Sequence, residues 1–303
     1  MDRRTFVKQT FGASLAFGAI MKTGNLLGGL AEMPLPYDLV AIKGGEPDSM
    51  FDQGIKALGG MKAFVKKGDK VVVKPNIGWD VSPERAGNTN PKLVARIIQH
   101  CFDAGAKEVS VVDHTCDQWQ RCYSNSGIQK AASDAGAKVV PAASESYYHN
   151  VSVPQGKSLK SAQEHEVILD ADVFINVPIL KNHSGSRLTM GMKNLMGNVW
   201  DREYWHRTDL HQCIADFSTY RKPVLNILDA YNVMKDNGPR GVSIDDLIVM
   251  KSQVISTDIV ALDTAGAKLF GIEPNQVRHL RIASEMKIGR SDLENLKIKR
   301  ISM

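Results

Sequence analysis

The segment from Asn176 to Cys213 is rich in side chains that could bind a ligand or take part in a reaction. Its sequence, NVPILKNHSGSRLTMGMKNLMGNVWDREYWHRTDLHQC, combines lysine, arginine, histidine, asparagine and threonine with glycines spread among them. Glycine allows the backbone to approach a ligand closely, whereas a segment that only fills a core carries few charged groups. We therefore interpret this segment as a binding or catalytic face.

Proton transfer in this segment is assigned to Lys193, with His183 as the alternative. Lys193 lies within the string MGMKNLM, so methionines and a leucine surround it. A lysine in apolar surroundings can have a lowered pKa and act as a base or nucleophile, although most lysines are solvated surface charges. Asp113 or Asp229 would be the carboxylate partner. A serine nucleophile is not indicated, because no G-x-S-x-G string occurs.

The cations and amides of the chain favour an anionic ligand that carries a carboxylate or a phosphate. The site is not a P-loop, because the sequence contains no G-x-x-x-x-G-K-[ST] string. Lysine, arginine and asparagine would hold the anion, while threonine and a second asparagine would orient it. The predicted substrate-binding residues are Lys74, Asn76, Lys181, Arg187, Thr189 and Asn194.

The part of the segment after Asp201 has competing interpretations. His206 is a further acid–base candidate, weighed against a plain hydrogen-bonding role. A zinc or iron ion is an alternative, although the spacings match no standard metal signature. Cys116 and Cys122 also suit a small disulfide loop in an oxidising compartment. The candidate metal ligands are His114, Cys116, Cys122, His211 and Cys213.

Alternating strands and helices must position these residues. Strands are predicted at 38–43, 70–73, 109–113, 138–140, 172–177, 224–229, within 243–255 and at 296–301. Helices are predicted at 48–58, after Asn90 as a cap, and at 126–135, 209–220, 257–270 (with Thr257 as cap) and 274–286. This alternation is typical of an α/β fold with a mostly parallel, doubly wound sheet and helices on both faces.

Four of the predicted strands end in a polar residue. In an open parallel sheet the ligand crevice lies beyond the carboxyl ends of the strands. A single asparagine or aspartate at a strand end usually begins a turn, but four such ends, each followed by a loop with further functional groups, favour a site. We expect them to converge on one edge of the sheet. The four residues are Asn76, Asp113, Asn176 and Asp229.

The composition is that of a globular protein with a substantial core. The chain has 303 residues, of which 43% are hydrophobic and 23% charged, and its net charge is +5. Residues 1–31 hold four basic residues and one acidic residue, so the remainder carries only +2. Without a clustered basic stripe, this balance argues against a nucleic-acid partner.

The N-terminus has the features of a twin-arginine export signal. Arg3 and Arg4, followed by Phe6 and Lys8, precede a short, weakly hydrophobic run rich in alanine and glycine. We predict a signal peptide at 1–31, a single α/β domain at 32–303 without a transmembrane segment, and export to the periplasm or another extracytoplasmic space by the twin-arginine translocation machinery. The alternative is an amphipathic N-terminal helix on a cytoplasmic protein.

Three strings give the chain a family resemblance. KPNIGW…NTNPKLVARIIQHCFDAGAKEVSVVD, ADVFINVPILKNHSGSRLTMGMKNLMG and STDIVALDTAGAKLFGI resemble the family known as domain of unknown function 362, over roughly residues 38–290. The DHTCDQW and WDREYWHR segments resemble a subgroup with export signals. Many relatives carry a [4Fe–4S] module, but this chain lacks its cysteine run. The resemblance also implies a distant similarity in fold to lactate racemase, which says little about the reaction.

These observations predict an exported α/β enzyme that binds a small anionic substrate or a phosphate-bearing cofactor at the strand ends. The alternative is a periplasmic ligand- or metal-binding or redox-accessory protein without catalysis of its own. A structural role in an envelope complex is a third interpretation. The sequence identifies no cofactor beyond the alternative of a metal ion.

Overall fold

A computed structural model describes residues 34–303, so the predicted signal peptide at 1–31 lies outside the described residues. Residues Leu35–Met303 form one compact unit. The strands of this unit are β1 (Leu39–Lys43), β2 (Lys70–Pro75), β3 (Glu108–Val111), β4 (Lys138–Val139), β5 (Tyr148–Ser152), β6 (Ser161–His165), β7 (Val173–Val177), β8 (Ile179–His183), β9 (Arg187–Thr189), β10 (Leu225–Met234), β11 (Leu247–Ser256) and β12 (Ile298–Ser302).

The helices connect the strands and cover the sheet. They are α1 (Pro47–Ala57), α2 (Pro91–Ala104), α3 (Trp119–Asn125), α4 (Ile128–Asp134), α5 (Glu166–Leu169), α6 (Gly191–Asn194), α7 (Arg202–Arg207), α8 (Leu210–Tyr220), α9 (Ile259–Phe270) and α10 (Arg278–Glu285). A 3-10 turn, Leu195–Asn198, directly follows α6. None of the helices between residues 34 and 303 combines the length and apolar character needed to cross a bilayer.

The main sheet is mostly parallel, as predicted. Its strand order is β12-β1-β11-β10-β7-β2-β3-β4, with β8 beside β10 and β9 beside β8. The pairs β10–β7, β7–β2, β2–β3 and β3–β4 are parallel, whereas β11 runs antiparallel to both β10 and β1. Strands β5 and β6 form a separate antiparallel pair. The carboxyl ends of the central strands therefore meet at one edge.

Two apolar clusters lie on opposite faces of the sheet because successive strand residues point to opposite sides. In β2, Val72 belongs to one cluster, whereas Val71 and Val73 belong to the other. The first cluster includes apolar residues of α8, α9 and α10, and the second includes those of α1, α2 and α4. The predicted arrangement of helices on both faces is confirmed.

Several predicted elements have different bounds in the structure. Strand β10 continues to Met234 because β11 pairs with it as far as that residue, so Asp229 lies within the strand and not at its end. Helix α9 is capped by Asp258, whose Oδ1 accepts the amides of Val260 and Ala261, and the prediction of Thr257 was wrong. The predicted cap Asn90 is confirmed by its bond from the Lys92 amide.

Two predicted helices are shorter in the structure, and most short elements between residues 119 and 207 were not predicted from the sequence. The predicted helix at 274–286 is also divided, into a 3-10 turn at Pro274–Gln276 and α10, because Val277 is extended. The helix predicted at 126–135 is α4 alone, and α3 precedes it as a separate helix. The unpredicted elements of this region are α3, α5, α6 and α7, the β5–β6 pair and the β8–β9 hairpin.

Candidate functional site

A small cavity of about 50 Å³ lies where the carboxyl ends of β2 and β3 meet the β8–β9 hairpin and α6. Strand β2 contributes Lys74, the loop after β3 contributes Asp113, and α7 contributes Arg202 at its first residue. The space corresponds to a few water molecules, which suits a small ligand. The lining residues are Lys74, Asn76, Gly78, Trp79, Asp113, His114, Cys116, Lys181, His183, Thr189, Lys193, Asn194, Met196, Gly197, Arg202 and Pro239.

A buried ion pair forms one wall of the cavity. The Lys74 ammonium lies 2.8 Å from Asp113 Oδ1, and the two side chains are 0% and 3% exposed. Burial lowers the pKa of Lys74, while the Asp113 carboxylate opposes that shift. The other carboxylate oxygen, Oδ2, accepts the backbone amide of Ile77 at 2.6 Å. Asp113 therefore ties the end of β3 to the end of β2.

The second lysine, Lys181, is equally buried but has no carboxylate partner among residues 34–303. Its ammonium donates to Asn76 Oδ1 at 3.1 Å and to the carbonyl of Gly87. Burial, together with the charges of Lys193 and Lys74, lowers the pKa of Lys181 to about 7. The charged and neutral forms of this amine are therefore both populated near neutral pH.

The third lysine, Lys193, is partly buried on α6 and lines the cavity. Burial, together with repulsion from Arg202 and Lys74, lowers its pKa to about 8. No carboxylate within the described part of the chain forms an ion pair with it. Lys193 is therefore a cation of the cavity without a carboxylate partner and with a lowered pKa.

Arg202 adds a fourth cation that the backbone holds in place. Its guanidinium donates to the carbonyls of His114 at 2.8 Å and Thr115 at 2.7 Å, and approaches Cys116 Sγ at 3.7 Å. Arg202 begins α7, whose N-terminus is capped by the Asp201 side chain. The cavity is consequently lined by three lysines and one arginine but by a single carboxylate.

Gly197 leaves the room that the ion pair occupies. A Cβ atom at this position would lie 1.7 Å from Asp113 Oδ1 and 2.8 Å from Lys74 Nζ. The carbonyl of Gly197 also accepts the amide of His114 at 3.0 Å. The absence of a side chain at 197 is therefore required for the turn after α6 to close over the pair.

His183 is held as a neutral ring with a defined tautomer. Its Nδ1 accepts the backbone amides of Gly185 at 3.0 Å and Ser186 at 3.2 Å. Burial, together with the charges of Lys193 and Lys181, lowers the pKa of His183 to about 2. Because Nδ1 is an acceptor, the neutral ring carries its proton on Nε2 and acts as a hydrogen-bond donor.

His114 has the opposite tautomer. Its Nδ1 lies 2.8 Å from the carbonyl of Val199, which can only accept, so the proton lies on Nδ1. The ring stacks on Trp200 with centroids 5.0 Å apart. Burial lowers the pKa of His114 to about 4, and Arg202 contributes to that shift. Both histidines of the cavity are therefore neutral at pH 7.

A chain of asparagine side chains holds α6 against the strand ends. Asn194 Oδ1 accepts from Asn76 at 3.0 Å, and Asn194 Nδ2 donates to Asn176 at 2.9 Å and to the Lys74 carbonyl at 3.4 Å. Asn176 in turn donates to Asn226 on β10 at 3.0 Å. Asn194 was predicted to contact substrate, but its side chain makes its hydrogen bonds within the fold. Three of the four expected strand-end residues, Asn76, Asn176 and Asp113, are held by these asparagine bonds or by the Asp113 carboxylate.

Two buried carboxylates support the site from outside the cavity. Asp263 on α9 accepts the amides of Gly191 at 2.6 Å and Met192 at 3.0 Å, and burial raises its pKa to about 7. Asp229 Oδ2 accepts the Asn90 amide at 2.8 Å, and burial raises its pKa to about 6. Asp263 fixes the start of α6, and Asp229 fixes the loop that follows Asn76.

The cavity brings together ten of the sixteen residues singled out by the sequence. Asp229 supports the site from behind, Arg187 is exposed on β9 with a φ of 70°, and His206 is exposed on α7. His211 stacks on His279 with centroids 5.7 Å apart, away from the lining. The predicted residues that do not line the cavity are Arg187, His206, Asp229, Cys122, His211 and Cys213.

The five candidate metal ligands do not form one site. Only His114 and Cys116 line the cavity, whereas Cys122 and Cys213 are buried elsewhere. Between residues 34 and 303 no three histidine, cysteine, aspartate or glutamate side chains are grouped so that they could hold a metal ion. The four cysteines, including Cys116 and Cys122, are free thiols, so the alternative of a disulfide loop is also not realised.

Trp79 was not among the predicted site residues, and Gly197 and Arg202 were noted only as members of the segment from Asn176 to Cys213. Trp79 follows the predicted strand end Asn76 by three positions, and Gly197 follows the string MKNLM. Arg202 comes directly after the helix cap Asp201, which was a usable signal for a residue at a helix start. The contacts of Arg202 with the loop after β3 depend on the fold and have no local signature.

The fold and the cavity define an α/β protein with a cation-lined site at the carboxyl edge of a mostly parallel sheet. The model of the family described as Domain of unknown function (DUF362) matches residues 71–268, and the chain belongs to this family. The family resemblance stated from the sequence is thereby confirmed. The chain is also similar to the Thylakoid-associated protein sll1697 of Synechocystis, at 27% identity over 73% of this chain and 68% of that protein.

Among solved structures, the chain is similar to the lactate racemase apoprotein of Thermoanaerobacterium thermosaccharolyticum. The TM-score is 0.39 and the identity 10%, over 70% of this chain. The chain spans about half of that protein, 53% of its length.

Proposed function

We propose that the protein is an enzyme that binds a small carboxylate- or phosphate-bearing anion in the cavity and transfers a proton to or from it. One observation carries the proposal: four cationic groups line a cavity of about 50 Å³ that contains a single carboxylate. Burying like charges without partners is unfavourable. A bound anion would offset this repulsion and accept charge-assisted hydrogen bonds.

The proposed role of each cavity side chain follows from the hydrogen bonds that it can still form with a ligand. Lys74 is paired with Asp113, so Lys193 and Arg202 are the cations with capacity to hold an anion. His183 would donate a hydrogen bond from Nε2 to a ligand oxygen, and proton transfer would fall to the lysines. The hydroxyl of Thr189 is buried without a hydrogen-bond partner among the described residues, and it would orient the ligand.

The two unpaired lysines supply the acid–base chemistry. With pKa values of about 7 for Lys181 and about 8 for Lys193, each can gain or lose a proton near neutral pH. General acid–base catalysis is most effective when the pKa lies near the working pH. This property favours an enzyme over a binding protein without turnover, for which a fully charged lysine would hold the anion better.

Anion titration by isothermal calorimetry tests the proposal. Wild-type protein should bind at least one of phosphate, oxalate and lactate, and the Lys193→Met variant should bind it about tenfold to a hundredfold more weakly, the loss expected for one charge-assisted hydrogen bond. Lys130→Met is the matched control, because this substitution removes the same charge from a side chain that is 80% exposed and lies outside the cavity lining. Equal affinities of the two variants would contradict the proposal.

We further propose export by the twin-arginine route, on the strength of the Arg3–Arg4 pair and the apolar run after it. The test is fractionation of cells that express the full chain. The wild type should be recovered outside the cytoplasm, and an Arg3→Lys, Arg4→Lys double variant should stay inside. Lys62→Arg is a neutral control. Recovery of the double variant with the wild type would exclude this route.

A further inference from the structure

The thiol of Cys116 lies in a position that the anion-binding proposal does not use. Cys116 lines the cationic cavity and is exposed, whereas Cys101, Cys122 and Cys213 are buried. It follows β3 by five residues, in the same loop as Asp113. Of the four cysteines, only this one combines access from solvent with a place in the candidate site.

Arg202 gives the sulfur a cationic neighbour. The guanidinium Nη1 lies 3.7 Å from Cys116 Sγ and is held there by the carbonyls of His114 and Thr115. A guanidinium in this place can balance the negative charge that sulfur carries when it reacts as a thiolate. The amide of Cys116 donates to the Gly78 carbonyl at 2.8 Å, so the backbone beneath the thiol is also fixed.

A second, independent feature points to a ligand in the same cavity. Thr189 is 2% exposed and lines the same cavity, and its Oγ1 has no hydrogen-bond partner among residues 34–303. A buried hydroxyl without a partner is unfavourable unless a ligand or water completes it. The cavity thus offers a nucleophile, cations for an anionic group and an unused hydroxyl.

We propose that Cys116 is a nucleophile that attacks anionic electrophiles bound in this cavity, such as compounds with a carbonyl carbon next to a carboxylate. A neutral lysine amine of the cavity first takes the thiol proton. A lone pair of the resulting thiolate sulfur then forms a bond to the carbonyl carbon, and the C=O π pair moves to oxygen. That oxygen takes a proton from a lysine ammonium of the cavity, which gives a tetrahedral thiohemiketal. Reversal expels the thiolate and returns the proton. This inference rests on the proposed anion binding.

Alkylation rates test the inference with a defined probe. Iodoacetate is an anionic electrophile and iodoacetamide its neutral analogue, and in both reactions the thiolate forms an S–C bond while iodide leaves with the C–I pair. The ratio of the iodoacetate rate to the iodoacetamide rate should be at least about tenfold higher for Cys116 than for glutathione, because a cation-lined cleft concentrates anions. Peptide mass spectrometry locates the label, and Cys116→Ser should abolish the fast phase.

The outcome separates this inference from the proposal on which it rests. A ratio equal to that of glutathione, or a fast phase that survives in Cys116→Ser, would overturn the role of Cys116 even if calorimetry shows anion binding. Arg202→Gln should lower the ratio toward that of glutathione, whereas Arg202→Lys should keep most of it. If both Arg202 variants retained the full ratio, the assignment of Arg202 as the stabilising cation would be wrong and the inference would fail with it.

Discussion

The ammonium of Lys74 and the carboxylate of Asp113 are 2.8 Å apart, and both side chains are shielded from solvent. This pair joins two neighbouring parallel strand ends, and the other three cations of the cavity gather around it. A buried pair contributes little net stability, but removal of one partner leaves an uncompensated charge. Because three further cations surround the pair, loss of the Asp113 carboxylate should lower the free energy of unfolding more than loss of the Lys74 ammonium.

Asp113→Asn should be the more damaging of the two single substitutions at this pair. It leaves four cations in the cavity without a carboxylate, and we expect a loss of about 3–5 kcal/mol of unfolding free energy. Lys74→Met should cost less, because the other cations still surround Asp113. Urea denaturation of both single variants and the double variant gives the coupling energy. Equal losses, or strict additivity in the double variant, would contradict this account.

Gly197→Ala should destabilise the protein because its Cβ would lie 1.7 Å from Asp113 Oδ1. Displacement of the ion pair by this overpacking should cost about 1–3 kcal/mol in urea denaturation. Gly185→Ala is the control, since the nearest atoms to its Cβ, in His183 and Leu210, are 3.5 Å away. The control should stay within about 0.5 kcal/mol of the wild type, and a similar loss in both variants would refute the steric argument.

The anion-free protein should become more stable as the pH rises from about 7 towards 10. The folded-state pKa of Lys181, about 7, lies below the ordinary value of 10.5, so over this range the unfolded chain binds a proton that the folded protein does not. The slope from one such lysine is at most about 1.4 kcal/mol per pH unit. Below pH 7 both states are protonated, and Lys181 adds no further slope.

Lys181→Met should therefore reduce this rise in stability, as followed by urea denaturation at several pH values. Lys130→Met should leave the slope unchanged, because its side chain is exposed. An unchanged slope in Lys181→Met would show that Lys181 titrates normally.

His183 and His114 should give opposite tautomers in long-range ¹H–¹⁵N spectra. His183 accepts two amides at Nδ1, so its proton belongs on Nε2, and His114 faces a carbonyl with Nδ1, so its proton belongs there. Both rings should remain neutral at pH 5, since their pKa values are lowered to about 2 and about 4. His149, with 60% of its side chain exposed, is the reference. A proton on Nδ1 of His183 would remove its assigned donor role, and a proton on Nε2 of His114 would contradict its bond to the Val199 carbonyl.

The central sheet and the position of the site could be predicted because their signals are local. The valine run of β2, the Asn90 cap and the polar residues after the strands each depend on a few neighbouring residues. The short helix α6 has no such signal, since its start depends on Asp263, 72 residues from Gly191. The candidate metal ligands likewise have no local signal, because whether they lie close together depends on how α3 and α8 pack and not on sequence spacing.

The roles of individual residues were harder to predict than their location. Asn194 and Asn76 are polar residues near the cavity, yet they bond to each other across 118 positions of sequence. Asp229 was predicted at the end of a strand, but β10 pairs with β11 as far as Met234, so Asp229 lies inside the strand. Side chains that were expected to contact a ligand therefore have structural roles, because they form hydrogen bonds with partners that are distant in sequence.

Proton uptake on anion binding at pH 8 tests the central claim most directly. Calorimetric titrations of a bound anion in buffers with different ionisation enthalpies give the number of protons exchanged. An anion beside Lys181 and Lys193, whose pKa values are about 7 and about 8, should favour their charged forms. We predict an uptake of about 0.5 to 1.4 protons per anion, reduced in Lys193→Met and unchanged in Lys130→Met. Binding without proton uptake, or uptake that persists in full in Lys193→Met, would contradict the account.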